Sequence, residues 1–201
     1  MDDIVKAALA KWPNVPHCYG WLGLDARGNW YMRDDRCQAA GPFALAEGDE
    51  GAASKGSLLK HEKLIEFIHR NYAADEQGQW FFQNGPQRVY VELENTPFIW
   101  RLQPDGRVRA HTGPDAGEVQ QCLLDEQGRL YLVTTMGLGL VHTSDMALAA
   151  DAVELGRWVP EPVQWLALSN DRGFVRSPQR LHAAQSRTGD HLPSDMHGAR
   201  G

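Results

Sequence analysis

Histidine is the side chain in this sequence most suited to metal chemistry, so its spacing is a first test of function. His61 and Glu62 begin like the H-E-x-x-H motif of zinc proteases, in which two histidines share one helix face. Position 65 is Ile65, so the second ligand is missing. His61 and His69 could each join a distant ligand, but half-buried histidines without a metal are more common. We therefore expect no metal site.

The cysteines give no sign of a disulfide framework or a zinc ribbon. Cys18, Cys37 and Cys122 are odd in number, far apart and outside any C-x-x-C pair, which is typical of reduced thiols. The first residues, MDDIVKAALAKW, carry acids where a signal peptide needs basic residues. No apolar run approaches the roughly 18 residues that a membrane span requires. We expect a cytoplasmic protein with no membrane contact.

Motifs for cofactors and nucleophiles are also missing. Gly137-Leu138-Gly139 lacks the third glycine and the later acid of a dinucleotide fingerprint. No G-x-S-x-G elbow and no P-loop occur. A net charge of -6 gives no field that would attract nucleic acid. We expect no cofactor, no catalytic residues and no nucleic-acid partner.

One local phrase returns every fifty residues and organises the chain. It is Asp-x-x-Gly followed by an apolar or aromatic run, and it begins at Asp25, Asp75 and Asp125. Aspartate can bond the backbone two residues on, and glycine can adopt the positive φ that closes a tight turn. The pattern predicts three β-hairpin turns and an internal repeat of about 50 residues.

Residues 80–102 form the most regular stretch of apolar alternation. Val89, Val91 and Leu93 alternate with polar residues, and the alternation resumes at Phe98 after a break at residues 95–97. We predict an antiparallel hairpin of residues 89–102, extended through residues 107–111 into a meander with one solvent-facing side.

The remaining segments supply helices and a long connection. We predict a helix over residues 58–72 that has Ser57 as its N-cap and packs across the 89–102 sheet. Shorter helices are predicted near residues 4–9, 145–153 and 178–187. Residues 158–169 are expected to be extended because of Pro160 and Pro162. Residues 41–57 are rich in glycine, alanine and acids, which predicts a mobile loop. This composition agrees both with a dispensable insertion and with a lid over a site.

The fold class predicted from these patterns is α+β, with two small subdomains of antiparallel β-meanders and packed helices. We place an N-terminal α+β subdomain at residues 1–112, a second β-rich subdomain at 113–176, and a short helix with a disordered tail at 177–201.

Residues 58–102 resemble a family of proteobacterial proteins of unknown function built from two small α/β subdomains with repeated β motifs. The resemblance rests on the apolar helix, the turn at residues 75–78, and the strand pair joined by ENTPF at residues 94–98, where the family shows an acidic-Asp-x-Pro-Phe phrase. Residues 134–137 (TTMG) look like the family's Thr-Asn-x-Gly, while Asn95 replaces the family's aspartate. The resemblance implies ligand binding or signal transduction and brings no catalytic residues.

We therefore predict a binding or interaction module for an unknown small molecule or protein; the alternative is an unrecognised enzyme acting on a small molecule in the cleft between the subdomains. The site is expected between the two β-rich halves, edged by residues 41–57. Glu92, Glu94 and Arg101 are candidates for polar contacts on the outward face of the sheet. Trp100 is a fourth candidate, because a tryptophan ring with a polar tip suits recognition.

Overall fold

The computed structural model describes residues 1–189, and the predicted disordered tail from residue 190 onward lies outside them. The described residues form a mixed α+β fold with two six-stranded sheets, which confirms the predicted fold class. The first sheet has the order β3-β2-β1-β6-β5-β4. Its strands are β1 Cys18–Leu24, β2 Trp30–Met32, β3 Ser57–Leu58, β4 Tyr72–Ala74, β5 Trp80–Asn84 and β6 Gln87–Leu93.

The second sheet has the order β12-β9-β10-β11-β7-β8. Its strands are β7 Phe98–Leu102, β8 Val108–Ala110, β9 Val119–Asp125, β10 Leu130–Thr134, β11 Gly137–Val141 and β12 Pro160–Val163. The helices are α1 Asp3–Lys11, α2 Asp35–Ala40, α3 Glu62–Arg70, α4 Met146–Glu154, α5 Trp165–Asp171 and α6 Pro178–Gly189. Most neighbouring strands are antiparallel, but β1 with β6, β11 with β7 and β12 with β9 are parallel.

The three Asp-x-x-Gly turns close β-hairpins, as predicted, and they share one set of hydrogen bonds. In each turn, one carboxylate oxygen of Asp25, Asp75 or Asp125 accepts from the backbone N–H groups two and four residues on, at 2.8–3.0 Å. The glycine three residues after each aspartate has a positive φ of 75–82°. An L side chain is strained in that backbone conformation, so glycine is the residue that fits.

The predicted hairpin of residues 89–102 is wrong, because β6 and β7 belong to different sheets. β6 pairs with β1 and β5, and β7 pairs with β11 and β8. Between them, the buried Thr96 hydroxyl accepts from the N–H of Leu140 at 2.9 Å and donates to the carbonyl of Phe98 at 2.7 Å. The Thr96 side chain thus forms hydrogen bonds with backbone groups at the point where the chain crosses from the first sheet to the second. The boundary of the subdomains at residue 112 stays a prediction, although the chain changes sheets at residues 94–97.

Two further segments differ from the sequence-based prediction. Helix α3 begins after His61, whose Nδ1 accepts from the N–H of Leu64, and Ser57 lies instead in a strand that pairs with β2. Residues 158–169 are extended only as far as β12, because α5 follows directly. Prolines forbid a helix interior only where they stand, and none occurs within α5.

One hydrophobic cluster is shared by the two sheets, and a second cluster lies between the second sheet and α4. Leu22 and Val91 of the first sheet lie in the same buried cluster as Ile99 and Leu140 of the second, and Trp165 of α5 joins them. Helix α3 contributes its buried side chain, Ile68, to this cluster. The junction between the sheets is therefore a packed interface, and grooves at its edges are lined by residues of both sheets.

Candidate functional site

The structure buries two of the four predicted site residues. Trp100 is fully buried, and its indole Nε1 donates to the carbonyl of Leu132 at 2.8 Å. Glu92 is 3% exposed and accepts from the Ser177 hydroxyl at 2.5 Å and from the Gln179 N–H at 2.9 Å, so it holds the N-terminal end of α6. Burial raises the pKa of Glu92, and these two hydrogen bonds act in the opposite direction. The expectation that Glu92 faces outward is wrong, because α6 covers that face.

Glu94 lies beside the first Asp-x-x-Gly turn. One of its carboxylate oxygens accepts from the backbone N–H of Ala26 at 2.8 Å, and the other pairs with Lys55 at 2.7 Å. Glu94 therefore fixes the position of the turn that carries Arg27. Its carboxylate is occupied by these contacts.

Arg101 forms a two-pronged ion pair with Asp145. Its Nε and Nη2 lie 2.7 and 3.2 Å from the two carboxylate oxygens, and Asp145 also accepts from the backbone N–H of Leu102 at 3.0 Å. Burial raises the pKa of Asp145, but the hydrogen bonds from Arg101 and Leu102 outweigh it, so the pKa lies below its ordinary value. Arg101 is the one predicted site residue that lines a groove between the sheets.

That groove, which we call the junction groove, has an open volume of about 450 Å³. The turn of the first sheet that contains Arg27 forms one wall, and β7, β8 and the segment after β8 form the other. Its lining residues are Arg27, Gly28, Arg101, Gln103, Arg109, Ala110, His111 and Gly113. None of these lining residues is acidic and three of them are arginines, so the charged side chains that line the groove are all positive.

Two of the three arginines in the junction groove have no acidic partner among the described residues. The Arg109 guanidinium donates through Nε and Nη2 to the carbonyl of Gly113, at 3.0 and 2.7 Å. Arg27 is exposed and forms no ion pair in the part of the chain that the structure describes. His142 lies near both Arg27 and Arg101. Burial is the main cause that lowers the pKa of His142, and the charge of Arg101 lowers it further. The guanidinium groups of Arg27 and Arg109 are therefore available to a ligand.

The floor of the junction groove is a half-buried histidine, His111. His111 Nδ1 accepts from the backbone N–H of Ile99 at 3.2 Å, while its Nε2 is buried without a hydrogen-bond partner among the described residues. Burial, and then the neighbouring His69, lower the pKa of His111 to about 3. Because the imidazole is neutral and Nδ1 accepts, Nε2 carries the proton.

Gly28 allows the turn to approach this histidine. A Cβ at position 28 would lie 3.0 Å from the Cβ of His111, and the residue has a φ of +82°. Trp30 of the first sheet and His69 of α3 both lie against the ring of His111, and the Trp30 indole donates to His69 Nε2 at 2.9 Å. The ring centroids of His69 and His111 are 5.8 Å apart. Aromatic side chains of the first sheet and of α3 therefore hold the floor in place.

Residues 41–57 do not line the junction groove. Phe43 is buried against Gly23, and the carbonyls of Gly41 and Ser54 accept from the buried guanidinium of Arg33. Asp49 pairs with Arg180 of α6. The loop therefore packs beside α6, and its predicted role at the edge of the site stays a prediction.

Sequence reasoning missed Arg27, Arg109 and His111. No local pattern marks them, because the residues of the groove come from segments about 75 positions apart that meet only in the folded chain. In the described residues, no group of three or more His, Cys, Asp and Glu side chains is placed to hold a metal ion. No helix in residues 1–189 is long and apolar enough to cross a membrane.

The fold and the groove together define an α+β protein in which two six-stranded sheets meet at a cationic cleft. The chain belongs to the family whose model, DUF2944, is described as "Protein of unknown function (DUF2946)" and matches residues 1–194. Membership of an uncharacterised family, which the sequence resemblance implied, is thereby confirmed. No curated protein matches the chain.

Two solved structures are similar to this chain, and both are described as DUF1285 family proteins. The one from Silicibacter pomeroyi DSS-3 has a TM-score of 0.45 and 12% identity, and the match covers 75% of this chain and 84% of that chain. The one from Shewanella baltica OS155 has a TM-score of 0.42 and 16% identity, covering 66% of this chain and 91% of that chain.

Proposed function

We propose that this protein is a binding module that holds a small, negatively charged molecule in the junction groove. The observation that carries the proposal is the convergence of Arg27, Arg101 and Arg109 from both sheets on one open groove whose lining contains no acid. Ligand sites favour the junctions between packed units, and arginine is the side chain best suited to carboxylate and phosphate groups.

Two of these arginines can bind a ligand without breaking an existing ion pair. Arg109 donates only to a backbone carbonyl, and Arg27 has no acidic partner in the described residues. Arg101 is held by Asp145 and adds positive charge at a fixed position. A ligand that bridges Arg27 and Arg109 would contact both sheets, so binding would stabilise their junction.

A thermal-shift screen of negatively charged, neutral and positively charged metabolites tests this function, since a ligand that binds only the native state raises Tm. We expect stabilisation by negatively charged compounds, and loss of that stabilisation in Arg27→Gln and Arg109→Gln. Arg107→Gln is the matched control, because Arg107 is exposed near the same strand but lies outside the groove lining.

A ligand whose effect on Tm is the same in the wild type and in both groove variants would place its site elsewhere. Stabilisation by neutral compounds alone would contradict the negative charge of the ligand. Either result would overturn the proposal.

We also propose that the protein works in the cytoplasm. Its three cysteines form no disulfide in the described structure, and such thiols persist in a reducing compartment. Fractionation of cells that express the protein tests this location, and recovery outside the cytoplasmic fraction would contradict it.

A further inference from the structure

The charges around the junction groove indicate the class of ligand. Three guanidinium groups line it, and Asp145, the one acid in residues 1–189 that forms an ion pair with any of them, is committed to Arg101 and to the backbone N–H of Leu102. Three positive charges and one negative charge leave two positive charges. Asp25, in the same turn as Arg27, does not line the groove, because its carboxylate bonds to its own turn and to Asn29 and Tyr31.

A phosphate monoester fits this arrangement better than a carboxylate does. It carries up to two negative charges near neutral pH and presents three terminal oxygens, whereas a carboxylate carries one charge and two oxygens in a plane. Arg27 and Arg109 approach the groove from opposite walls, Arg27 from the turn and Arg109 from β8. Donors on opposite sides suit a tetrahedral group with oxygens pointing in several directions.

We infer that the ligand of the junction groove is a small organic molecule that carries a phosphate monoester, and this inference rests on the proposed function. The phosphate oxygens accept from Arg27 and Arg109, while the ion pair of Arg101 with Asp145 stays intact. The groove, at about 450 Å³, leaves room for the organic part beside Gln103 and Gly113. A net charge of -6 opposes approach to an anionic membrane, which favours a free phosphate ester over a lipid headgroup.

Titration calorimetry with glycerol 3-phosphate, sulfate and acetate at one ionic strength tests the ligand class. We expect glycerol 3-phosphate to bind at least tenfold more tightly than acetate. The affinity for the ester should rise severalfold between pH 5.5 and 7.5, as its second proton, with a pKa of about 6, is lost. The affinity for sulfate, which stays a dianion, should change less over that range. Arg27→Gln and Arg109→Gln should each weaken ester binding by about tenfold, while Arg107→Gln leaves it unchanged.

Acetate binding as tight as that of the ester, or ester binding unchanged in both groove variants, would overturn the inference. If the ester fails but another negatively charged compound raises Tm in an Arg27- and Arg109-dependent manner, the proposed function stands and the phosphate class is wrong. If no charged compound depends on these arginines, both are wrong. Binding to vesicles that contain phosphatidic acid, without binding to glycerol 3-phosphate, would replace the soluble ligand by a lipid headgroup.

Discussion

The aspartates of the three repeated turns show how a single residue fixes local structure. Asp25, Asp75 and Asp125 each use one oxygen for two backbone N–H groups and the other for a tyrosine hydroxyl. The donors are Tyr31, Tyr90 and Tyr131 respectively. Two of these tyrosines lie six residues after the aspartate, but Tyr90 comes from a neighbouring strand. The turn is local, and the contact that anchors it need not be.

At the residue scale, the lowered pKa of the half-buried His111 predicts an acid-sensitive fold. Its pKa is about 3 in the folded protein and about 6.5 when exposed. As the pH falls below 6.5, the unfolded chain takes up the proton first, so the free energy of unfolding decreases until the pH nears 3. One such histidine removes about 1.4 kcal/mol per pH unit in that window.

We expect His111→Asn to flatten this dependence, because asparagine can accept from the Ile99 N–H and does not titrate. Urea unfolding at pH 7.5 and at pH 4.5 measures it. Comparing each protein with itself at pH 7.5 separates proton uptake from any packing cost of the substitution. An equally steep loss of stability in the variant would show that other groups cause the acid sensitivity.

At the element scale, the face of α3 that packs on the core is defined by burial. Ile68 is 1% exposed, whereas Ile65, one turn earlier, is only half-buried. We expect Ile68→Ala to lower the free energy of unfolding by roughly 2 to 5 kcal/mol and Ile65→Ala to lower it by less. Denaturant titration of the two variants compares them. A loss below about 0.5 kcal/mol for Ile68→Ala would mean that a different face of the helix is buried.

Helix α6 is held by a carboxylate at its N-terminal end. Removing Glu92 takes away the acceptor of the Ser177 hydroxyl and of the Gln179 N–H. Glu92→Ala should raise the amide exchange rate of residues 179–187 by at least about tenfold, since two hydrogen bonds are lost and each hydrogen bond to a charged group contributes about 1.5 kcal/mol or more. Glu161→Ala, on the exposed strand β12, is the control. Unchanged exchange in α6 would indicate that its other contacts suffice.

At the scale of the whole molecule, the shared core predicts that the two sheets unfold together. Val91 of the first sheet and Ile99 and Leu140 of the second lie in one buried cluster. We expect far-UV circular dichroism and tryptophan fluorescence to report one coincident transition. A fragment of residues 1–96 should fail to fold, because it lacks half of that cluster.

Ile99→Ala, at a fully buried position, should shift the entire transition to lower denaturant. Two separate transitions, or a cooperatively folded 1–96 fragment, would show that the sheets are independent folding units.

The packing of the whole molecule also determines how much of the site could be predicted from the sequence. Arg101, a candidate because of its position on the outward strand face, lines the junction groove, while Glu92 and Trp100 are buried and Glu94 supports a turn. The alternation in β6 predicted a sheet with one solvated face. A strand that is covered on both faces has a continuous run of buried residues instead. In β6, the four residues from Tyr90 to Leu93 form such a run.

The sequence alone determined the features whose hydrogen bonds join residues a few positions apart. The three Asp-x-x-Gly turns and the start of α6 at Pro178 follow from backbone geometry and local acceptors. Tertiary structure decided which strands pair: Leu22 of β1 lies beside Val91 of β6, while β7 leaves β6 for the other sheet. Such pairings depend on which combination buries the most apolar surface, and no local pattern records that choice. The junction groove is a product of the same choice, because Arg27 and Arg109 become neighbours only when the two sheets pack together.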